Sequence, residues 1–133
     1  MYQEVFRACP SNYLILYTDE IFTIVDVSNF HESLLGRKRE DLVGKGLFEC
    51  YPENPQNNWD ENGLVALKSS MQKVVKEGTT QVVQLRYDVP VNDGFEFRYW
   101  EVKCIPIFMA GVLMYILNTS YDITQLYKNG FKI

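Results

Sequence analysis

The residue types that the sequence lacks exclude several kinds of site. It has a single histidine, His31, and three cysteines, Cys9, Cys50 and Cys104, none of them in a Cys-x-x-Cys pair. This set gives no zinc-binding pattern. The odd number and wide spacing of the cysteines fit buried thiols in a reducing compartment better than disulfides. We therefore expect no metal site and a cytoplasmic location.

The sequence also lacks a long apolar run and a strongly basic segment. No stretch approaches the length of a membrane span, and the start of the chain lacks the pattern of a signal peptide. The net charge is −4, and the one dense basic run, Arg37-Lys38-Arg39, lies beside Glu40 and Asp41. Such a run is more typical of a solvated helix start than of a nucleic-acid surface. We expect neither membrane insertion nor a nucleic-acid partner.

Motifs for catalysis are missing as well. The sequence has no Gly-x-Ser-x-Gly motif, no phosphate-binding loop, and neither the autokinase histidine motif nor the ATP-binding glycine boxes of a kinase. We therefore predict no catalytic residues and no enzymatic activity in this segment. A small enzyme with an open cavity is kept as the last alternative, and it requires a titratable residue with a strongly perturbed pKa inside the pocket.

The first half of the chain predicts a hairpin followed by short helices. At 133 residues and 47% hydrophobic content, the chain is long enough for one domain. Two runs of strand-forming residues, 12–18 and 21–27, are separated by Asp19-Glu20, which favours a turn. Ser28 or Asn29 then caps a short helix that stops at Gly36, and residues 39–43 form another helical turn.

The second half predicts one long helix and three strands. An apolar stripe at three- and four-residue spacing runs from Leu64 to Val75, and Gly78 ends the helix. Strands are expected at 81–89, 95–105 and 112–117. The apolar parity of the second flips near Tyr99, which predicts a bulge there or burial on both faces. The continuous apolar run of the third predicts a central strand covered on both faces. The expected fold is α+β, a five-stranded antiparallel sheet with the short helices and the long helix on one face.

Several short motifs, each weak alone, occur in a specific order. They are Ile24-Val25 before Ser28, Gly36-Arg37, residues 40–45, Leu47-Phe48-Glu49, Pro52-Glu53-Asn54-Pro55, Arg86-Tyr87-Asp88, Arg98-Tyr99-Trp100 with Pro106, and Asp122-Ile123-Thr124. Together they resemble a PAS sensory domain of the type found in bacterial two-component sensor histidine kinases, over roughly Phe6 to Leu126. Ser28 departs from the Asn of many relatives, and Gln125 from an acidic residue. The first change affects a hydrogen bond expected to tie the short helix to the sheet.

The resemblance implies a domain division and a ligand site. Residues 1–10 are an N-terminal segment, 11–124 the sensor domain, and 125–133 the start of a C-terminal connector. The resemblance places ligands in an apolar space beneath the sheet, and the candidate ligand-binding residues are Phe30, Leu34, Leu47, Leu67, Ser70, Met71, Arg86, Tyr87, Arg98 and Trp100. For any single apolar residue, filling the core is the alternative. Arg86 and Arg98 can hold a carboxylate together, or can pair with Asp88 and Glu96.

Cofactor chemistry finds little support in the sequence. A flavin photoreceptor of this superfamily needs a cysteine in an Asn-Cys-Arg-Phe-Leu-like run, but Leu47 stands at the cysteine position and Cys50 comes three residues later. A haem needs an axial ligand, usually a histidine on or beside the long helix, whereas His31 falls on the early short helix. We predict no cofactor, neither flavin nor haem.

By this resemblance the chain is a cytoplasmic sensory and signal-transduction module of a histidine kinase. A small molecule binds beneath the sheet, the last strand carries the change, and Asp122 and Thr124 pass it to the connector. The expected partners are a homodimer copy and a downstream kinase or output domain. The rival hypothesis is a ligand-free PAS module for dimerisation or protein interaction. A cavity of roughly a few hundred cubic ångströms favours sensing, and a solid interior with a large exposed apolar patch favours the rival.

Overall fold

A computed structural model describes residues 1–51 and 63–130. The motif Pro52-Glu53-Asn54-Pro55 and the last three residues of the predicted connector lie outside the described residues. In chain order the elements are α1 (Tyr2–Ala8), β1 (Tyr13–Tyr17), β2 (Ile24–Val27), α2 (Asn29–Leu35), α3 (Arg39–Leu42), α4 (Leu47–Cys50), α5 (Gly63–Glu77), β3 (Gln81–Arg86), β4 (Val89–Val91), β5 (Gly94–Glu96), β6 (Tyr99–Met109), β7 (Val112–Asp122) and α6 (Thr124–Lys128).

Five of the strands form one antiparallel sheet, as the sequence predicts, and their order in the sheet is β2-β1-β7-β6-β3. Because side chains alternate along a strand, the register decides which residues share a face. Asn118 lies between Leu14 on one neighbouring strand and Cys104 on the other. These three side chains are buried on the inner face, on which the core forms.

Helix α5 covers this inner face, and its apolar stripe explains why. Met71 and Val74 are fully buried, whereas Val65 on the opposite side is 63% exposed. The helix contacts β3, β6 and β7. No helix in the described parts of the chain is long and apolar enough to cross a membrane.

Two of the predicted strands are shorter than the sequence pattern indicates. The strand expected over 81–89 ends at Arg86, and β4 and β5 form a separate hairpin around Asn92-Asp93. The strand expected over 95–105 is also divided, between Glu96 and Tyr99. The parity flip therefore marks a change of strand, and the prediction of a bulge near Tyr99 is wrong. The irregularity in β6 lies at Ile107/Phe108 instead.

The prediction that residues 112–117 are covered on both faces is also wrong. Strand β7 is central in the sheet, but Val112 is 58% exposed and Met114 is 39% exposed. These residues lie at the hairpin end beside Ala110 and Gly111, where the chain turns into solvent. The apolar run 112–117 therefore indicates a central strand, but it does not indicate that both faces of the strand are buried.

The N-terminal segment is tied to the edge of the sheet by charge. Buried Asp26 on β2 accepts hydrogen bonds from Arg7 of α1 at 3.1 Å and from Arg39 of α3 at 3.0 Å. Arg39 also binds Glu32 and the carbonyl of Val27. The Asp26 carboxylate thus joins α1 and α3 to the edge strand β2.

Ser28 ties α2 to β1, at the position where the sequence departs from many relatives. Its Oγ accepts from the Tyr13 N–H at 3.0 Å and donates to the Ser11 carbonyl at 2.6 Å. The same oxygen caps α2 by accepting from the His31 N–H at 3.4 Å. Serine therefore provides the expected link between helix and sheet, and it places His31 in the first turn of α2.

Candidate functional site

A cavity of about 80 Å³ lies between the inner face of the sheet and helices α2, α4 and α5. Its lining is mostly apolar, with a polar group at one side. The lining residues are Asn12, Leu14, His31, Leu47, Phe48, Tyr51, Leu64, Leu67, Leu85, Tyr87, Trp100, Val102, Asn118 and Ser120.

His31 forms a buried polar chain at this cavity. Its Nδ1 makes a short hydrogen bond with Asn12 Oδ1, and its Nε2 lies 2.6 Å from the Tyr51 hydroxyl. A neutral imidazole satisfies both contacts when Nδ1–H donates to Asn12 and Nε2 accepts from Tyr51. Burial lowers the pKa of His31 to about 4, with a further contribution from the nearby Arg37 charge and an opposing one from Glu32. His31 is therefore uncharged at neutral pH.

Tyr51 is held in place from the other side by Arg37. The guanidinium donates to the Cys50 carbonyl and lies 5.9 Å from the centre of the Tyr51 ring. Burial is the main cause that raises the pKa of the Tyr51 hydroxyl, so the group stays protonated and can donate to His31. The Tyr51 ring also meets the Tyr87 ring edge to face at 6.3 Å.

Asn118, on the central strand, contributes the least satisfied polar group of the cavity. It is 2% exposed, and its Nδ2 has the Met71 sulfur as partner at 3.6 Å. Its Oδ1 has no hydrogen-bond partner among the described residues. A buried acceptor without a donor costs about 1–3 kcal/mol, so a donor that reached this oxygen from the cavity would gain a hydrogen bond.

Four of the residues predicted for the ligand site do line this cavity: Leu47, Leu67, Tyr87 and Trp100. The indole of Trp100 is fixed by a 2.9 Å hydrogen bond from its Nε1 to the Tyr87 carbonyl. These residues come from α4, α5, β6 and the segment after β3, so the fold brings distant parts of the sequence together.

Four other predicted residues do not line the cavity. Phe30 and Leu34 are 45% and 39% exposed, because α2 turns the side carrying His31 toward the sheet. Met71 is fully buried under Asn118 and fills the core, and Ser70 precedes it on α5 without lining the cavity. Their placement corrects the list of candidates derived from the sequence.

The two predicted arginines also lie away from the cavity lining. Arg86 binds Asp88 through two hydrogen bonds of 2.9 and 3.0 Å. Arg98 binds Glu96 at 3.0 Å and lies 3.5 Å from Asp122. Of the two alternatives for these arginines, the structure therefore has the pairing with Asp88 and Glu96 and not a guanidinium pair at the cavity.

Asp122 and Thr124 form a compact junction between the last strand and α6. Asp122 Oδ1 accepts from the Thr124 N–H at 2.9 Å and from the Thr124 hydroxyl at 2.5 Å. That hydroxyl accepts in turn from the Tyr99 N–H at 2.9 Å, while Ile123 N donates to the Tyr99 carbonyl at 2.9 Å. The start of α6 is therefore bonded to both β6 and β7.

Aromatic stacking adds a second contact to this junction. The rings of Tyr99 and Tyr127 are nearly parallel with centroids 4.0 Å apart, and Phe97 lies against both at 5.6 and 5.7 Å. Such contacts contribute about 0.5–1.5 kcal/mol beyond burial. This cluster was not predicted from the sequence, because Tyr127 on α6 is distant in the chain from Phe97 and Tyr99.

The polar side of the cavity was not predicted from the sequence either; it consists of Asn12, His31, Tyr51, Asn118 and Ser120. One signal was available, since Asn118 directly follows the apolar run 112–117 and takes the inward parity of a central strand. A polar side chain in that position needs a partner. The meeting of His31 with Tyr51 depends on the path of α4 and had no signal in the sequence.

The cavity is small for a cofactor. Its volume of about 80 Å³ is below the roughly 300 Å³ at which small-molecule sites begin. Cys50 is buried and burial raises its thiol pKa, which disfavours the reactive thiolate. Within residues 1–51 and 63–130, no group of three or more His, Cys, Asp or Glu side chains is placed to hold a metal ion.

Comparisons with known proteins give one consistent result. The family model described as "PAS domain" matches residues 10–125. The fold is similar to a sensory box sensor histidine kinase from Vibrio cholerae (TM-score 0.64, 19% identity, 92% of this chain and 89% of that one) and to the PAS domain of a Colwellia psychrerythraea protein (0.60, 21%, 85% and 87%). It is also similar to the RsLOV d2 variant (TM-score 0.67, 13% identity). That match covers 90% of this chain but 63% of the RsLOV chain, so this chain spans less than two thirds of the length of that protein. No curated protein matches significantly.

Proposed function

The chain belongs to the PAS domain family, and from this premise we propose that it is a sensory module whose cavity binds a small molecule. Binding changes the arrangement of β7, and the change reaches α6 through Asp122 and Thr124. The observation that carries the proposal is the unpartnered Oδ1 of Asn118, a residue that lines the cavity and belongs to the strand that leads to α6.

The position of the cavity supports sensing. Its lining combines apolar side chains with a few convergent polar groups, which is the usual composition of a ligand site. The volume of about 80 Å³ is below the few hundred cubic ångströms that would favour sensing by size, so the proposal rests on the lining and not on the volume. The volume also limits the ligand to a small molecule unless α4 or α5 moves. In accordance with this volume, we propose that neither flavin nor haem is the ligand.

The junction at α6 supports transmission. A relative shift of β6 and β7 stretches the bond between Tyr99 N and Thr124 Oγ1, because Tyr99 begins β6 and Thr124 is joined to the end of β7 by a single residue. A ligand produces such a shift only through a difference in its affinity for the two arrangements. We propose that the same chain of bonds regulates an attached or partner histidine kinase, and that this segment itself is not catalytic.

Xenon tests occupancy and transmission without assuming any ligand chemistry, because it enters apolar cavities of proteins. We expect xenon at increasing pressure to shift the amide NMR signals of cavity residues Leu14 and Trp100. If the cavity is coupled to α6, the signals of Tyr127 and Lys128 shift with the same dependence on pressure.

Two variants of α5 make a matched pair for this test. Leu67→Phe fills the cavity and should abolish both sets of shifts, whereas Val65→Phe on the exposed side of the same helix should leave them unchanged. Shifts confined to the cavity would contradict transmission through α6. The absence of any xenon-dependent shift in the wild type would contradict the binding site itself.

A ligand-free module for dimerisation is the second candidate, and the outer face of the sheet favours it. Two apolar rows cross three strands there: Ile15, Leu117 and Ile105 form one, and Tyr17, Tyr115 and Ile107 the other. Such a patch is typical of interaction surfaces. If Ile107→Glu converts a dimer to a monomer in sedimentation equilibrium and xenon leaves the spectrum unchanged, this candidate replaces the sensor.

A further inference from the structure

We propose that the cavity selects a small, uncharged molecule with a hydrogen-bond donor that Asn118 Oδ1 accepts. This inference rests on the proposed sensory function and adds the chemical class of the ligand. It is carried by three observations: the unpartnered acceptor, the neutral lining and the volume of the cavity.

The acceptor is the directional group of the site. Asn118 is flanked by Leu14 and Cys104, neither of which offers a strong donor, and Met71 takes up only its Nδ2. The nearby imidazole does not compete for this role, since both ring nitrogens of His31 are engaged by Asn12 and Tyr51. A ligand donor therefore gains a bond that no described side chain supplies.

The charge of the lining excludes ions as preferred ligands. None of the described residues that line the cavity carries a charge at neutral pH, because His31 has a pKa of about 4 and the others have neutral side chains. Arg86 and Arg98 are bound to Asp88 and Glu96 and do not line it. A carboxylate or an ammonium group would lose its hydration without gaining a counter-charge.

The volume sets the size of the ligand. A cavity of about 80 Å³ is smaller than the roughly 150 Å³ cavity that admits benzene. The fitting class is that of short amides, alcohols and similar molecules with a small apolar part. The apolar part meets Leu14, Leu67 and Trp100, and the donor meets Asn118.

Three probes of nearly equal shape test this class: propanamide, methyl acetate and propanoate, which have the same number of non-hydrogen atoms. Only propanamide is an uncharged donor. In NMR titrations of the wild-type chain, we expect the Kd of propanamide to be at least about tenfold lower than that of either other probe, since it alone satisfies the buried acceptor without a charge penalty. The Asn118 side-chain amide signals should shift with the same Kd.

Two substitutions on one strand separate this contact from general effects. Asn118→Leu removes the acceptor, and we expect it to raise the Kd of propanamide about tenfold while leaving that of methyl acetate within about twofold. Thr119→Val is the matched control: it removes the hydroxyl of a buried residue whose Oγ1 also lacks a partner among the described residues, but on the opposite face of β7. It should leave all three Kd values unchanged.

Several outcomes overturn the inference. Equal binding of propanamide and methyl acetate means that the oxygen holds only water, and tighter binding of propanoate means that the site selects anions. The absence of detectable propanamide binding also rejects the inference. If xenon still enters the cavity in that case and shifts the NMR signals of α6, the proposed sensory function is supported and only the proposed ligand class is rejected.

Discussion

The buried imidazole of His31 makes the stability of this domain depend on pH between about 6.5 and 4. His31 is the one histidine of the sequence, and its pKa falls from an ordinary 6.5 to about 4 in the folded chain. Between these values the unfolded chain binds a proton that the folded chain does not. Folding is therefore favoured less as the pH falls through about 6.5, and the full contribution is present only above that value.

The size of the effect is set by the two pKa values. Lowering the pH from 8 to 5 should reduce the free energy of unfolding by about 2 kcal/mol through His31 alone. Asp19 and Glu4 have lowered pKa values and lose their contributions only at lower pH, so they do not interfere above pH 5. With a urea slope of about 2 kcal/mol per molar, the unfolding midpoint moves down by about 1 M.

Urea unfolding followed by circular dichroism at pH 8, 6.5 and 5 measures this directly. His31→Gln keeps a polar side chain without a titrating group, and its loss between pH 8 and 5 should stay below about 0.5 kcal/mol. An NMR titration of the wild-type imidazole should show one neutral tautomer, with the proton on Nδ1, down to about pH 5. A wild-type pKa near 6.5, or an equal loss in His31→Gln, would refute the reasoning.

Three further substitutions test other parts of the fold. Gly63→Ala should lower the free energy of unfolding by about 1–3 kcal/mol, because a Cβ there would lie 2.1 Å from the Arg86 carbonyl oxygen. Alanine favours helices over glycine, so urea unfolding at pH 7 would show a stabilisation instead if the helix could shift. In the same assay, Asp26→Asn should lower the free energy of unfolding by about 3 kcal/mol, because it leaves Arg39 without its buried partner. Glu77→Gln, in the exposed pair with Lys73, should lower it by less than about 0.5 kcal/mol. Equal losses would contradict the ion-pair argument. Thr124→Val should speed hydrogen exchange at Tyr99 and in α6 while leaving β1 protected, and unchanged exchange would exclude the hydroxyl as a link.

The sheet and the long helix could be predicted because their causes are local. The stripe on α5 repeats with the helical period, and the runs 12–18 and 112–117 have the composition of strands. Strand ends were predicted less well, since Val89 and Phe95 continue the alternation of their neighbours although both belong to the β4–β5 hairpin. Alternation reports which face a residue occupies and not where one strand gives way to another.

The polar half of the cavity could not be predicted, because it depends on contacts between distant segments. Asn12, His31 and Tyr51 come from three places in the chain, and each alone reads as a loop or helix residue. The predicted arginines show the reverse case: of the two roles that the sequence allowed for Arg86, the structure has the pairing with Asp88, two residues away. An acidic side chain close in the sequence is therefore a more common partner for an arginine than a ligand site formed by distant segments.

The cavity and the junction at α6 belong to one strand, and this has a consequence for how a signal must travel. Asn118 and Asp122 are four residues apart on β7, about 13 Å at the rise of an extended chain. Central strands resist large displacement because both neighbours hold them, so a donor at Asn118 can move β7 only slightly. The bond from Tyr99 N to Thr124 Oγ1 is sensitive to such a small shift, since hydrogen bonds weaken steeply with misalignment. A device of this kind requires a junction made of short polar bonds, and Asp122, Thr124 and Tyr99 supply it.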